Sequence, residues 1–196
     1  MIDALLRGLA LTRAPEALAV VLGVVYVLLI LKRQRLGWIA GGLSSSIYVY
    51  LAARAHLPMQ SALQAYYVVM SCYGWYSWTR AQHEGGRITR WPLQYHGAAL
   101  AAIVLLSLIT AHWLATETHA AWPYLDSFTT WISLLATYMV ARMKLENWLY
   151  WISADAIMAY LFAAQGYPVT AGLFLTYLTI AVIGFRGWLR QYRRQA

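Results

Sequence analysis

Long runs free of Asp, Glu, Lys and Arg alternate along the chain with short clusters of charge. The runs are Ala17 to Leu31, Leu36 to Ala53, Leu57 to Thr79, Ile88 to Thr116 (with Arg90 just inside), Ser127 to Ala141, Asn147 to Gln165 (interrupted by Asp155) and Gly166 to Phe185. A helix needs about 20 mostly apolar residues to cross a bilayer, so the pattern predicts seven membrane helices. The first and fifth runs have only 15 residues each and must borrow flanking residues whose polar ends reach the interface. One proline, Pro58 or Pro168, falls at the second and at the sixth break, which predicts tight helical hairpins there.

Composition supports a membrane reading. Apolar residues make up 61% of the 196 positions, charged residues 11%, and the mean hydropathy is +0.52. A soluble domain carries roughly 25% charged side chains, so a soluble fold, a disordered chain and a nucleic-acid-binding domain are all excluded. The single cysteine, Cys72, cannot form an internal disulfide.

The net charge of +8 reflects orientation. Lys32, Arg33, Arg35, Arg80, Arg87, Arg90, Arg142, Lys144, Arg186, Arg190, Arg193 and Arg194 fall on one side of a seven-span topology, against Arg7, Arg13 and Arg54 on the other. Basic residues collect on the cytoplasmic side, so the C-terminus is expected inside and the N-terminus outside. The first apolar run is followed by Lys32-Arg33 and not by a small-residue cleavage site, so the start of the chain does not read as a cleavable signal. Ile2, Leu5, Leu6 and Leu9 share one helical face, so residues 1–14 are expected to lie along the outer membrane surface.

The chain also repeats itself at an offset of 110. Trp38 pairs with Trp148, Tyr50 with Tyr160, Pro58 with Pro168, Tyr67 with Tyr177, Gly74 with Gly184, Trp78 with Trp188 and Arg80 with Arg190. Ala and Leu match cheaply in so apolar a chain, but Trp, Pro, Tyr and Gly in one register do not. The expected fold is all-α: two three-helix repeats, residues 15–80 and 117–190, joined by a loop and linking helix at 81–116, with a tail at 191–196. One linking span gives both repeats the same orientation. Parallel repeats of this kind are a transporter signature, with a site expected near the bilayer midplane where they meet.

Chemistry concentrates on the sixth run. Trp148, Trp151 and Asp155 stand at i, i+3 and i+7, on one face of a helix. A carboxylate in mid-span costs about 2.5–3.5 kcal/mol on insertion scales and normally faces protein or a water-filled cavity. Beside two indoles it suits a flat cation, held by stacking, cation–π attraction and charge. The structural alternatives are an interfacial anchor for Trp148 and an interhelical hydrogen bond for Asp155. On the third run, Gln60, Gln64, Tyr67, Ser71, Gly74 and Trp78 form a stripe at helical period. Its amides fit either ligand contact or helix–helix glue. The seventh run repeats Tyr177 but has Thr170 and Phe174 where the glutamines stood, so one half reads polar and the other aromatic.

Other classes fall away. Lys32 and Lys144 both lie in loops, so no mid-membrane lysine could carry retinal, and His56, His83, His96, His112 and His119 lack metal-ligand spacing. Neither a Gly-x-Ser-x-Gly elbow nor a phosphate-cradling loop is present. No cofactor or metal is expected.

The stretch Glu146-Asn147-Trp148-x-x-Trp151-x-x-x-Asp155, followed by Gly166-Tyr167-Pro168, Tyr177, Gly184 and Trp188, resembles the PnuC-type vitamin transporters, the nicotinamide riboside transporter family. The resemblance runs from about Ala17 to Arg190. It implies a SWEET-like fold, a homotrimer in the bacterial cytoplasmic membrane, and facilitated diffusion of an unphosphorylated vitamin that a separate cytoplasmic kinase then traps. It also implies that Asn147, Trp148, Trp151 and Asp155, with Gln60, Gln64 and Tyr67, bind the substrate; Tyr177 and Trp38 join them as repeat counterparts of Tyr67 and Trp148. Related members move thiamine or riboflavin. Thiamine transport is the nearest alternative. A membrane enzyme using Asp155 as acid or base, and a structural or assembly protein, are rivals from other classes.

The charge bias makes a direct prediction. A cysteine placed between Arg80 and Arg90 is labelled only from the cytoplasmic side; labelling in intact cells by an impermeant reagent would reverse the topology.

Overall fold

The computed structural model describes residues 14–54, 58–83, 86–117 and 122–195. The expected surface segment at the start of the chain, and His56 and His119, lie outside them, apart from Ala14 at the end of that segment.

Among the described residues each uncharged run becomes one helix. The helices are α1 (Ala14–Leu31), α2 (Leu36–Arg54), α3 (Pro58–His83), α4 (Leu93–Glu117), α5 (Pro123–Ala141), α6 (Asn147–Ala164) and α7 (Pro168–Gln195). Four of them, α1, α2, α4 and α7, are long and apolar enough to cross a membrane. The other three are diluted by polar side chains, and in α5 the hydroxyls cost little because they bond within their own helix. Thr129 donates to Leu125 O at 3.0 Å, Ser133 to Thr129 O at 2.7 Å and Thr137 to Ser133 O at 2.8 Å.

The chain divides into two units, Met1–Gly86 with α1 to α3 and Arg87–Ala196 with α4 to α7. Within the first, α2 packs against both α1 and α3; within the second, α4 packs on α5, α5 on α6 and α6 on α7. The fourth uncharged run starts its helix late. Residues 88–92 are outside the helix instead, and Thr89 pairs with Lys144 in the turn before α6.

The offset of 110 reappears in the geometry of each unit. Arg33, after α1, and Met143, after α5, both adopt positive φ, at 57° and 50°. Each closes the same helix end. Arg33 N–H bonds Ile30 O at 2.9 Å and Gln34 N–H bonds Leu29 O at 2.9 Å; Met143 and Lys144 do the same to Val140 and Met139. This is the left-handed helix cap that usually takes glycine. Glycine takes the role at the α6–α7 turn, where Gly166 has φ 80°.

The second repeated feature holds the helices together. Trp38 meets Trp78 edge to face, with centroids 5.6 Å apart at 88°, and Trp148 meets Trp188 at 5.5 Å and 86°. Each α2 or α6 indole also lies over a glycine of the next helix, Trp38 over Gly74 and Trp148 over Gly184. Trp38, Trp78 and Trp188 are fully buried and Trp148 is 3% exposed. Around them, Tyr26 adds an edge contact to Trp38 in the first unit. In the second, Ile103, Ile132, Ala136, Met139, Tyr150 and Ala154 form an apolar cluster against which Trp131 and Trp151 pack.

A methyl group at position 184 would sit 2.7 Å from the Trp148 ring, whereas one at position 187 meets open space on the same helix. Overpacking costs about 1–3 kcal/mol, and relieving a helical glycine gains roughly 0.5–1 kcal/mol. Gly184→Ala is therefore expected to lower the melting temperature of the purified protein, and Gly187→Ala to leave it equal or higher.

Candidate functional site

Asp155 sits two turns into α6 and is buried, with 6% of its surface exposed. Among the described residues it has no salt-bridge partner. A carboxylate in that state keeps its desolvation cost uncompensated. Trp151, one turn earlier on the same face, is partly buried against the α4–α5–α6 cluster.

Trp148 and Trp151 do not form an indole pair. Trp148 points to α7, where Gly184 and the edge of Trp188 cover it, while Trp151 packs towards the cluster containing Ile132 and Ala136. Successive i and i+3 positions diverge by about 60° around a helix, enough to send two large rings to different neighbours. The indole N–H groups of Trp148 and of its counterpart Trp38 are both buried without a hydrogen-bond partner among the described residues. Asn147 is fully buried; its Nδ2 donates to Lys144 O at 2.6 Å, and its Oδ1 has no partner among the described residues.

Tyr177 stands on α7 at the end of an aromatic row. Its ring meets Phe174 edge on at 6.2 Å, Phe174 stacks on Phe162 at 5.4 Å and 8°, and Phe162 meets Tyr167 at 6.2 Å. Sequence reasoning found Tyr177 and Phe174 through the repeat but missed Phe162, whose counterpart at the offset of 110 is Ala52. In the first unit, Gln60 is exposed on α3, and Gln64 and Tyr67 are half-buried further along it. Tyr67 makes an edge contact with Tyr66 at 5.8 Å. Trp38 lies in the Trp78–Gly74 contact already described.

Glu146, the first residue of the motif, is 4% exposed and fully used. Arg90 Nε donates to Oε1 at 2.8 Å, and the Trp91 backbone N–H donates to Oε2 at 3.3 Å. The hydrogen bond to Glu146, and then its charge, hold the Arg90 guanidinium above its ordinary pKa. Nearby, His96 Nδ1 and Tyr150 Oη lie 2.9 Å apart with their rings stacked. Among the described residues no group of His, Cys, Asp and Glu could hold a metal.

Helix lengths and apolar composition define a helical multi-pass membrane protein. The chain belongs to the nicotinamide mononucleotide transporter family, whose pattern matches residues 14–190. It is similar to the riboflavin/roseoflavin transporter RibM of Streptomyces davaonensis, 25% identical over 183 residues covering 90% of this chain and 84% of that protein. It is also similar to the nicotinamide riboside transporter PnuC of Escherichia coli, 22% identical over 207 residues, 92% of this chain and 87% of that one. Among solved structures, the crystal structure of the vitamin B3 transporter PnuC matches the fold with a TM-score of 0.76 at 20% identity, over 100% of this chain and 88% of that chain. The PnuC-type resemblance seen in the motifs is thus borne out, and both of these relatives are vitamin transporters.

A buried carboxylate without a cation partner destabilises the fold it serves. Asp155→Asn is accordingly expected to keep or raise the melting temperature; a clear fall would mean that the carboxylate holds the helices together.

Proposed function

We propose that this protein carries nicotinamide riboside across the bacterial cytoplasmic membrane by facilitated diffusion. The observation that carries the reading is Asp155, a buried carboxylate with no salt-bridge partner among the described residues, in a chain of the vitamin-transporter family. A pyridinium supplies the missing charge, and Trp151 on the same helical face supplies a π surface. Riboflavin, the ligand in one relative's name, carries no such charge. Thiamine is also an aromatic cation and stands as the second reading.

The residues divide by role. Trp151, Asp155 and Tyr177 of the second unit contact the ligand. Trp38, Trp148 and Asn147 have structural parts: the two indoles set the helix spacing and Asn147 holds the turn before α6. The helices divide into two repeats, α1–α3 and α5–α7, joined by α4, and transport proceeds by alternating access. The C-terminus is cytoplasmic and the N-terminus outside; the working unit is a homotrimer, and a cytoplasmic kinase traps the vitamin after uptake. No enzymatic step belongs to the chain itself.

Liposome uptake tests this. With radiolabelled vitamins, nicotinamide riboside equilibrates to equal concentrations inside and outside, and Asp155→Asn slows it far more than it slows any residual riboflavin uptake. Preference for thiamine supports the second reading. Accumulation driven by an imposed proton or sodium gradient would make Asp155 a coupling site instead.

A further inference from the structure

Among the described residues, the segment just before α4 is tied to the rest of the second unit by several polar contacts. Thr89 N–H donates to Met143 O at 3.1 Å and Leu145 N–H to Thr89 O at 2.9 Å, a short parallel bridge. Lys144 Nζ donates to Thr89 Oγ1 at 2.9 Å, and Ile88 N–H to Gln195 Oε1 at the end of α7, at 3.0 Å. Ile88, Met143 and Leu145 are buried beneath these bonds. Glu146 closes the set through Arg90 and the Trp91 amide.

Beyond His96, whose Nδ1 lies 2.9 Å from Tyr150 Oη, α4 is held mainly by packing. Its buried positions, Ile103, Ser107 and Ala111, form one narrow line at spacings of four, joined by a bond from Trp131 Nε1 to Thr110 Oγ1 at 3.2 Å. The remainder faces outward, Leu105 and Ile109 at 60% and 58% exposure. A line of small contacts lets a helix slide, whereas a bridged segment with a part-buried, charge-assisted hydrogen bond does not.

We infer that Glu146 is a positioning residue for transport: its carboxylate clasps the start of α4 to the α5–α6 turn, so that α4 and the second repeat move as one body. The inference rests on the transport reading above, but its physical core, the clasp, does not. A charge-assisted hydrogen bond of this kind is worth roughly a tenfold or greater change in an equilibrium, enough to matter in a cycle of small conformational differences.

The experiment uses the full chain with Cys72→Ser. Amide exchange at Trp91 and Leu145, read without any vitamin, accelerates roughly tenfold or more in Glu146→Gln and in Arg90→Gln; unchanged exchange overturns the clasp. Thr89→Cys with Lys144→Cys then replaces it by a disulfide. Oxidised protein takes up nicotinamide riboside within about twofold of the reduced form, and loss of uptake on oxidation, reversed by reductant, would show that α4 must leave the turn. Glu146→Gln slows uptake while leaving ligand affinity unchanged, and oxidation of the cysteine pair in that variant restores the rate. A weakened affinity, or a rate that the cross-link does not restore, overturns the positioning role. Should the unmodified protein take up none of the vitamins, the transport reading fails, and with it any role in transport. The exchange and cross-linking results then still decide the clasp.

Discussion

An indole laid across a glycine is the contact on which both units depend. Trp38 on Gly74 and Trp148 on Gly184 bring α2 against α3 and α6 against α7 at the closest approach that side chains permit. In a bilayer, apolar surface gains nothing by leaving lipid, so association relies on tight packing of this sort. A flat ring on a residue without Cβ maximises dispersion contact, and a second tryptophan edge, Trp78 or Trp188, fills the remaining side. The Trp38 and Trp148 indole N–H groups, without partners among the described residues, show that shape took precedence over hydrogen bonding here. The left-handed turns at Arg33 and Met143 complete the arrangement by fixing where α2 and α6 begin.

With spacing settled by aromatic packing, polar groups inside the helices divide into two kinds. The Ser and Thr hydroxyls bond carbonyls one turn back and add little cost. Asp155 has no such local solution and no cation beside it among the described residues. Glu146, nine residues earlier, shows what a structural carboxylate looks like in the same unit: every oxygen is answered, by a guanidinium and by a backbone amide. The two acids differ in whether the described residues answer their charge, a difference that neither burial nor charge alone would reveal.

Seven helices, their approximate limits and the repeat were legible in the chain because charge is excluded from hydrocarbon and because tryptophan, proline and glycine rarely coincide by chance. The family was legible for the same reason, since its motif falls on those residues. The span count by apolar length alone is smaller, four of seven, because helices that face protein tolerate amides and hydroxyls that lipid-facing helices cannot.

Periodicity along one helix placed Trp148, Trp151 and Asp155 on a shared face, and it could go no further. Which neighbour each ring meets depends on the helices packed on either side, so only the tertiary structure sent Trp148 to Gly184 and Trp151 to the α4–α5 side. Phe162 joined the aromatic row across the α6–α7 turn, and Arg90 reached Glu146 from a segment far away in sequence. The sequence by itself determined the helices, their repeat and the buried acid, all of them set by local polarity and spacing. The partners of each side chain were decided by packing between helices, which no local pattern encodes.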